Sequence, residues 1–452
     1  MNSLLIRSLE RLARIRRADI RAPQIRSFSC ATKLLHAHEQ RILSPKASPT
    51  QLPSANLQDS KIAINWETNV QSKFHSIWLR DHCRCPHCFH PITKQRLVNT
   101  FQLPPAIKPV SFQVLPQGLE VTWSSADSHK SVYPWTWLQR NSYDPKFDAV
   151  PDVDKKSLWG SSIQKSPPTV QYGEVMSNDD KGLYQWLSHV HEHGFCFVSG
   201  VPATPEATEE LSRRIGFLRE TQYGQFWDFT SDLAKGDTAY TTLALGAHTD
   251  NTYFTDPCGL QLFHLLSHTE GTGGATLLVD GFYVASLIKD KHPDAYALLS
   301  NTPIPAHAAG EPSSIYCPSP SSGYPVLGHD IATGKLTTVR WNNDDRSVMK
   351  HIAPHLVEEW YDAISVWYKY LTSPECEYWV QLNPGTAVVI DNHRVLHGRS
   401  AFDGKRRMCG AYVGIDEYHS KLATLREKFN PTAYATTSEH TINDRSIWHP
   451  AL

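Results

Sequence analysis

The stretch AHTDNTYF, Ala247 to Phe254, sets an imidazole and a carboxylate two positions apart in a run of strand-forming residues. Side chains of an extended strand alternate in direction, so His248 and Asp250 share one face and can meet one ion. Two histidines and one carboxylate on one side of an octahedron are the donor set of non-haem Fe(II) oxygenases, and leave the other positions open to reactants. A third donor stands far along the chain at His397, in IDNHRVLHGRS, behind a buried apolar strand and ahead of Gly398. With 23 histidines in the chain, an H-x-D pair alone is more often a coincidental turn or a capped strand end, and the rest of the constellation changes that weight. An oxygenase of this kind that uses 2-oxoglutarate must also grip the far carboxylate of that dicarboxylate with a cation and a neighbouring hydroxyl. Arg406 and Thr276, in GKRR and GTGGATLLVD, meet that need; a solvated arginine and a cross-strand threonine are the plain alternatives.

A second cluster is Cys83, Cys85 and Cys88 in DHCRCPHCFH. Thiolates this dense bind Zn(II) tetrahedrally and require a fourth ligand. His129 in TWSSADSHKS is one choice, with His82, His87 and His90 as nearer competitors and a reduced, metal-free cluster as the alternative. Nine cysteines is an odd count that suits a reducing compartment better than a disulfide framework. Cys30, Cys196, Cys258, Cys317, Cys376 and Cys409 are scattered along the rest of the chain.

The elements that must position these groups fall into three regions. In residues 1–35, Arg7, Arg11, Arg14 and Arg17 recur at helical spacing opposite Leu5, Leu9 and Leu12, with few acids. That is the pattern of a mitochondrial presequence; a basic interaction arm is the other reading. From Lys61 to Leu138 short alternating runs (KIAINW, FHSIWL, SFQVLP, LEVTW) predict a small β-rich domain over 58–145 that zinc would staple. Residues 151–168 read as a linker, and the domain over 170–430 opens with a helix capped by Ser177 and carrying Leu183, Trp186, Leu187 and Val190 on one stripe to Gly194. FCFVSGV is a buried strand, and Thr204-Pro205 starts a second helix. Beyond Arg219 the pattern is mostly strands (GLQLFHLL, ATLLVDGF, KLTTVRW, TAVVIDN, RMCGAYVGI), broken by one helix near 283–300 and a Pro/Ser/Gly-rich loop over 306–328. The fold class is mainly β with flanking helices, an antiparallel jelly roll. With 44 basic against 45 acidic residues the net charge is −1, which offers no electrostatic footprint for nucleic acid or an anionic membrane and favours a small-molecule partner. No apolar run approaches the roughly 18 residues of a membrane-spanning helix.

The segments RETQYGQFWDFTSD, GDTAYTTLAL, HTDNTYFTDPCG, GTGGATLLVDGFY, RWNNDDR and VLHGR, in that order, are specific. From residue 60 to 428 the chain resembles the gamma-butyrobetaine/trimethyllysine dioxygenase family of 2-oxoglutarate oxygenases, most closely its trimethyllysine branch. The resemblance implies a double-stranded β-helix, iron on His248, Asp250 and His397, 2-oxoglutarate on Thr276 and Arg406, and ascorbate to keep the iron ferrous. It also implies zinc on the three cysteines with His129, and a homodimer. Its substrates carry a trimethylammonium group, which cannot donate a hydrogen bond and is held by aromatic faces. Tyr223, Trp227, Tyr240 and Tyr412 match the cage positions, with Asn251 standing where the butyrobetaine branch has a ring. His393 replaces a Trp usual in the family. Asp237, also a good turn residue in KGDT, matches the position that answers the α-ammonium group of trimethyllysine, and Asn342 the one that answers its carboxylate. The implied reaction is C3 hydroxylation of N6,N6,N6-trimethyl-L-lysine, the first step of carnitine biosynthesis, in the mitochondrial matrix. Gamma-butyrobetaine hydroxylation is the alternative, and a silent methyl-lysine binder would need only the cage.

Overall fold

The computed structural model of the chain describes residues 52–66, 69–125, 127–147, 156–230, 241–430 and 447–448. The presequence expected over 1–35 lies outside them, as do Asp237 and Tyr240.

Two three-stranded antiparallel sheets come first. β1 (Ser54–Gln58), β2 (Lys61–Asn65) and β3 (Gln71–His75) pair in chain order and lead into α1 (Ser76–Asp81). β4 (Pro109–Leu115), β5 (Gly118–Trp123) and β6 (Lys130–Pro134) pair likewise and lead into α2 (Trp135–Arg140). Their apolar faces meet in one core around Ile62, Phe74, Leu79, Val121, Trp123 and Tyr133. The run FHSIWL is not a strand throughout: it turns helical at Ser76. Trp78 packs between Phe74 (5.6 Å between ring centroids) and His82 (4.3 Å), and that four-residue spacing follows a helix, so ring packing overrides strand propensity.

The larger part follows in chain order. It opens with β7 (Thr169–Gln171), α3 (Tyr172–Val175), α4 (Lys181–His193), β8 (Phe195–Ser199) and α5 (Pro205–Arg213). Next come β9 (Phe226–Thr230), β10 (Leu245–His248), β11 (Leu260–Thr269), β12 (Thr276–Asp280), α6 (Gly281–Lys291) and α7 (Pro293–Asn301). β13 (Leu327–His329), β14 (Leu336–Val339), α8 (Val357–Leu371) and β15 (Tyr378–Val380) precede β16 (Thr386–Asp391), β17 (Val395–Arg399), β18 (Lys405–Val413) and α9 (Ile415–Phe429). The chain alternates between two sheets, one of order β7-β8-β16-β11-β18-β9 and one of order β10-β17-β12-β15. Facing residues from both, among them Phe195, Leu265, Leu278, Ile390, Val395 and Met408, form a shared core. α4 and α9 pack on the far side of the larger sheet, α6, α7 and α8 on the far side of the smaller one. The protein is mainly β with flanking helices.

Several local expectations change. α4 starts at Lys181 rather than behind Ser177: Asp180 precedes it with a left-handed φ of 64°, and its carboxylate is taken by Arg214 (2.8 Å) and Lys428 (2.9 Å). The buried stripe Leu183, Trp186, Leu187 and Val190 and the Gly194 terminus (φ 80°) stand as expected. The single helix expected near 283–300 is two, because Pro293 cannot continue α6 and instead occupies the first turn of α7. α8 and α9 were not foreseen. The described half of the expected linker is packed: Trp159 is buried and donates through its indole to the His193 carbonyl (2.6 Å) and through its backbone to Asp280 (3.1 Å). Among the described residues no helix is long and apolar enough to cross a membrane.

Candidate active site

Three adjacent strands build the floor of the site. Their register aligns His248 of β10 with His397 of β17 and Leu278 of β12, and the row beneath aligns Leu245, Arg399 and Thr276. Alternation then turns His248, His397, Arg399 and Thr276 to one face. β10 stops at His248, and Asp250 opens a turn instead of extending the strand. Thr249 pairs with the Trp341 carbonyl (2.7 Å), Asn251 takes a left-handed φ of 57°, and the Asn392 amide clasps the Asp250 backbone at both N–H (2.8 Å) and carbonyl (3.1 Å). The carboxylate still arrives beside the imidazoles: Asp250 Oδ1 lies 3.2 Å from His248 Nε2 and 3.6 Å from His397 Nε2.

Each donor is aimed. Asp250 Oδ2 accepts from Gln261 Nε2 (2.6 Å) and the Tyr412 hydroxyl (2.7 Å), which leaves Oδ1 turned toward the imidazoles. His248 Nδ1 donates to the Gly246 carbonyl (2.8 Å), so Nε2 carries the lone pair. Burial works against the Asp250 carboxylate, yet His397, His248 and the Tyr412 hydroxyl hold it well below the usual carboxylate range. Burial and the neighbouring His248 push His397 down to about 3, which keeps it a neutral ligand. Burial alone would lower His248 too, but Asp250 raises it on balance. These separations approach the ~3 Å edge of an octahedron with bonds of about 2.1 Å, so the donor set fits one divalent cation.

The six-stranded sheet supplies the opposite wall. Register on this face stacks Gln261 against Tyr412, then Phe263, Gly410 and Trp227, then Leu265, Met408 and Phe229. Gly410 is required: a Cβ there would strike the Trp227 indole and the Leu262 carbonyl. Between the walls lies a cavity of about 650 Å³, which His248, Asp250 and His397 line together with Tyr223, Trp227, Thr276, Asn342, Arg406 and Tyr412. Arg406 is buried, its Nε has no hydrogen-bond partner, and no carboxylate among the described residues meets it. Burial and the adjacent Arg399 push it down to about 10. A buried cation opening on a cavity that the Thr276 side chain lines from the facing sheet suits an anionic ligand better than the solvated role weighed for it.

Tyr223, Trp227 and Tyr412 converge, with Trp227 and Tyr412 centroids 6.4 Å apart at 56°. Asn251 presents no ring, but Tyr253 lines the cavity nearby and meets the Tyr223 hydroxyl at 3.4 Å. Asn342, on the cavity lining, donates one amide N–H to Asp345 Oδ2 (2.9 Å) and accepts from the Asp344 N–H (3.0 Å), so its side chain is held in place while a second N–H remains to be given. His393 faces the Pro257 carbonyl (3.3 Å) and stands apart from the triad. Sequence reasoning missed Gln261, Asn392, Tyr253 and Phe229. The polar Gln261 in the middle of the apolar run GLQLF was the available signal.

In the first region His129 Nε2 lies 3.4, 3.6 and 3.5 Å from the Cys83, Cys85 and Cys88 sulfurs. Tetrahedral zinc places such donors about 3.6 Å apart, so this set also fits its ion. A hydrogen bond from Cys83, aided by Arg80 and His129, holds the Cys88 thiol at about 5. Among the described residues His129, and not His82, His87 or His90, converges with the three sulfurs.

A dioxygenase class follows from this site on this scaffold: the chain belongs to the family described as taurine catabolism dioxygenase TauD, TfdA, whose model matches residues 156–412, and within it to the trimethyllysine and gamma-butyrobetaine dioxygenases. A second model, gamma-butyrobetaine hydroxylase-like, N-terminal, matches residues 54–139. The chain is 41% identical over 378 residues to trimethyllysine dioxygenase of Meyerozyma guilliermondii, covering 80% of this chain and 93% of the relative. It is 41% identical over 351 residues to the human protein named trimethyllysine dioxygenase, mitochondrial, covering 77% and 82%. Gamma-butyrobetaine dioxygenase of a Pseudomonas species is 31% identical over 391 residues, covering 85% and 97%.

Proposed function

We propose that the chain is an Fe(II)- and 2-oxoglutarate-dependent oxygenase that hydroxylates N6,N6,N6-trimethyl-L-lysine at C3. The observation that carries this reading is one cavity holding His248, Asp250 and His397 at its floor, an anion-seeking Arg406, and the rings of Tyr223, Trp227 and Tyr412. His248, Asp250 and His397 would hold Fe(II), which would supply the redox chemistry that couples reduction of O2 and conversion of 2-oxoglutarate to succinate and CO2 with hydroxylation of the substrate. Arg406 and Thr276 hold the far carboxylate of 2-oxoglutarate and fix which of its ends faces the triad. Tyr223, Trp227, Tyr412 and Tyr240 receive the trimethylammonium group, and Asp237 and Asn342 answer the amino-acid end, so both ends of the chain are held and C3 is presented. The apolar walls, Phe263 and Met408 among them, exclude water from the reacting centre.

Gamma-butyrobetaine hydroxylation is the second reading, resting on the 31% relative; the higher identity to trimethyllysine enzymes ranks it lower. We further assign the two facing sheets to a double-stranded β-helix over 170–430, and Cys83, Cys85, Cys88 and His129 to a zinc staple of a domain over 58–145. Residues 1–35 act as a presequence for the mitochondrial matrix, in keeping with the names of the mammalian relatives. Ascorbate as reductant and a homodimer complete the proposal.

The test is trimethyllysine-dependent succinate release by the Fe(II)-loaded protein. His248→Ala should abolish it with an unchanged circular dichroism spectrum. Undiminished release from that variant would end the assignment.

A further inference from the structure

His189, Glu192 and His193 stand at positions i, i+3 and i+4 of α4, the spacing that brings side chains to one face of a helix. Their donor atoms lie within 4.8 Å of one another, and none of the three borders the cavity of the triad. The rings of His189 and His193 are 6.0 Å apart between centroids and inclined at 35°. Burial outweighs the pull of Glu192 and lowers both imidazoles, so each is neutral at pH 7 and has a lone pair to give. A polar helix face of this composition is ordinarily just solvated, but the surroundings here decide otherwise. Ser157 Oγ donates to Glu192 Oε1 (2.8 Å), which leaves Oε2 turned to His193 Nε2 (3.8 Å). His193 Nδ1 is buried with no hydrogen-bond partner among the described residues, so a partner for that ring must come at Nε2, beside the carboxylate. Ser157 is itself fixed: its N–H donates to the Glu192 carbonyl (2.8 Å) and its carbonyl accepts from Arg394 (2.7 Å), while the Trp159 indole holds the His193 carbonyl (2.6 Å). The device is the one seen at Asp250, where the protein takes one carboxylate oxygen and leaves the other facing an imidazole.

We propose that His189, Glu192 and His193 form a further metal site, for a divalent ion of the Zn(II) class, with Ser157 as a positioning residue for the carboxylate. Two imidazoles and a carboxylate suit such an ion, whose tetrahedral donors stand about 3.4 Å apart, so the group has to close by under about 1.5 Å. The Glu192 side chain is half exposed, which gives an ion access from solvent, and three protein donors leave a fourth position to water. The inference goes beyond the trimethyllysine reading and does not rest on it, because no residue of that reading takes part.

The test counts metal on the full-length protein. The native chain and the double variant His189→Gln, His193→Gln are dialysed against the same buffered micromolar Zn(II), and bound zinc per chain is read by plasma mass spectrometry. The cysteine cluster and the triad are common to both proteins, so any zinc they hold cancels in the difference. The native protein should carry one more zinc per chain than the variant. Ser157→Ala removes no donor and should shift half-saturation of that extra ion to about tenfold higher free Zn(II). Mg(II), which seeks carboxylates and water, should bind equally to native protein and double variant. Equal zinc on the two proteins overturns the site, and a Mg(II) difference overturns its imidazole-led character. A Ser157→Ala protein that binds as tightly as the native chain overturns the positioning role. Should the double variant lose its circular dichroism spectrum, Glu192→Gln at its half-exposed position carries the comparison, and an unmoved half-saturation there overturns the site.

Discussion

At the scale of single residues, the site depends on how little freedom its donors have. Asp250 is held at its backbone by Asn392 and at its outer oxygen by Gln261 and Tyr412, so only one oxygen faces the imidazoles. On the proposed reading Tyr412 has two duties, a ring for the cage and a hydroxyl for Asp250, and a substitution can separate them. Tyr412→Phe keeps the ring and removes the bond. Loss of such an outer partner lowers metal affinity by roughly 10- to 100-fold, so Fe(II) activation should need correspondingly more metal while KM for trimethyllysine stays nearly constant. A raised KM with unchanged Fe(II) demand would show the hydroxyl serving the substrate instead.

At the scale of elements, one buried ion pair ties four segments together. Arg394, fully buried in the turn between β16 and β17, donates to both oxygens of Asp280 (3.1 and 2.8 Å) and to the carbonyls of Glu192 (2.8 Å) and Ser157 (2.7 Å). Asp280 also caps α6 through Phe282 N–H (3.0 Å). This pair explains why the expected linker is ordered against the sheets. Asp280→Ala strands an uncompensated guanidinium, at a cost of about 3–5 kcal/mol. Chemical denaturation should register that loss; a change below about 1 kcal/mol would mean water reaches the arginine. The sequence announced most of the strands here, because FCFVSGV, ATLLVDGF and TAVVIDN are apolar runs bounded by turn residues. It did not announce α8, whose packing against the smaller sheet outweighs local pattern, whereas Pro293 already carried the signal for the break before α7.

At the scale of the whole molecule, burial depresses a set of imidazoles outside the triad: His82, His189, His193, His419 and His264, which falls to about 4 between Thr208 and the Gly385 N–H. In the unfolded chain these rings titrate near 6.5. Between that value and the lower folded values the unfolded chain binds more protons, so stability rises with pH and is lost as pH falls from 6.5 toward 4. The melting temperature should therefore drop from pH 7 to pH 5, and His264→Gln should remove part of the slope. A melting temperature that is level or higher at pH 5 would contradict neutral, buried rings. His248 works in the opposite sense, since Asp250 raises it.

The candidate donors were legible from sequence because a metal set constrains residue type: an H-x-D pair, a distant histidine before Gly398, three crowded cysteines. Strand periodicity likewise gave the mainly β class, since one face of each strand must be apolar to be covered. Only the tertiary structure decided which histidine converges with each donor group, that Asp250 reaches its place by a turn, and that Asn342 bonds Asp345. Those outcomes depend on register between strands remote in sequence and on hydrogen bonds across the cavity, such as those from Gln261, Tyr412 and Asn392 to Asp250. Local pattern carries no information about such pairings, because each partner alone satisfies its own strand or turn equally well.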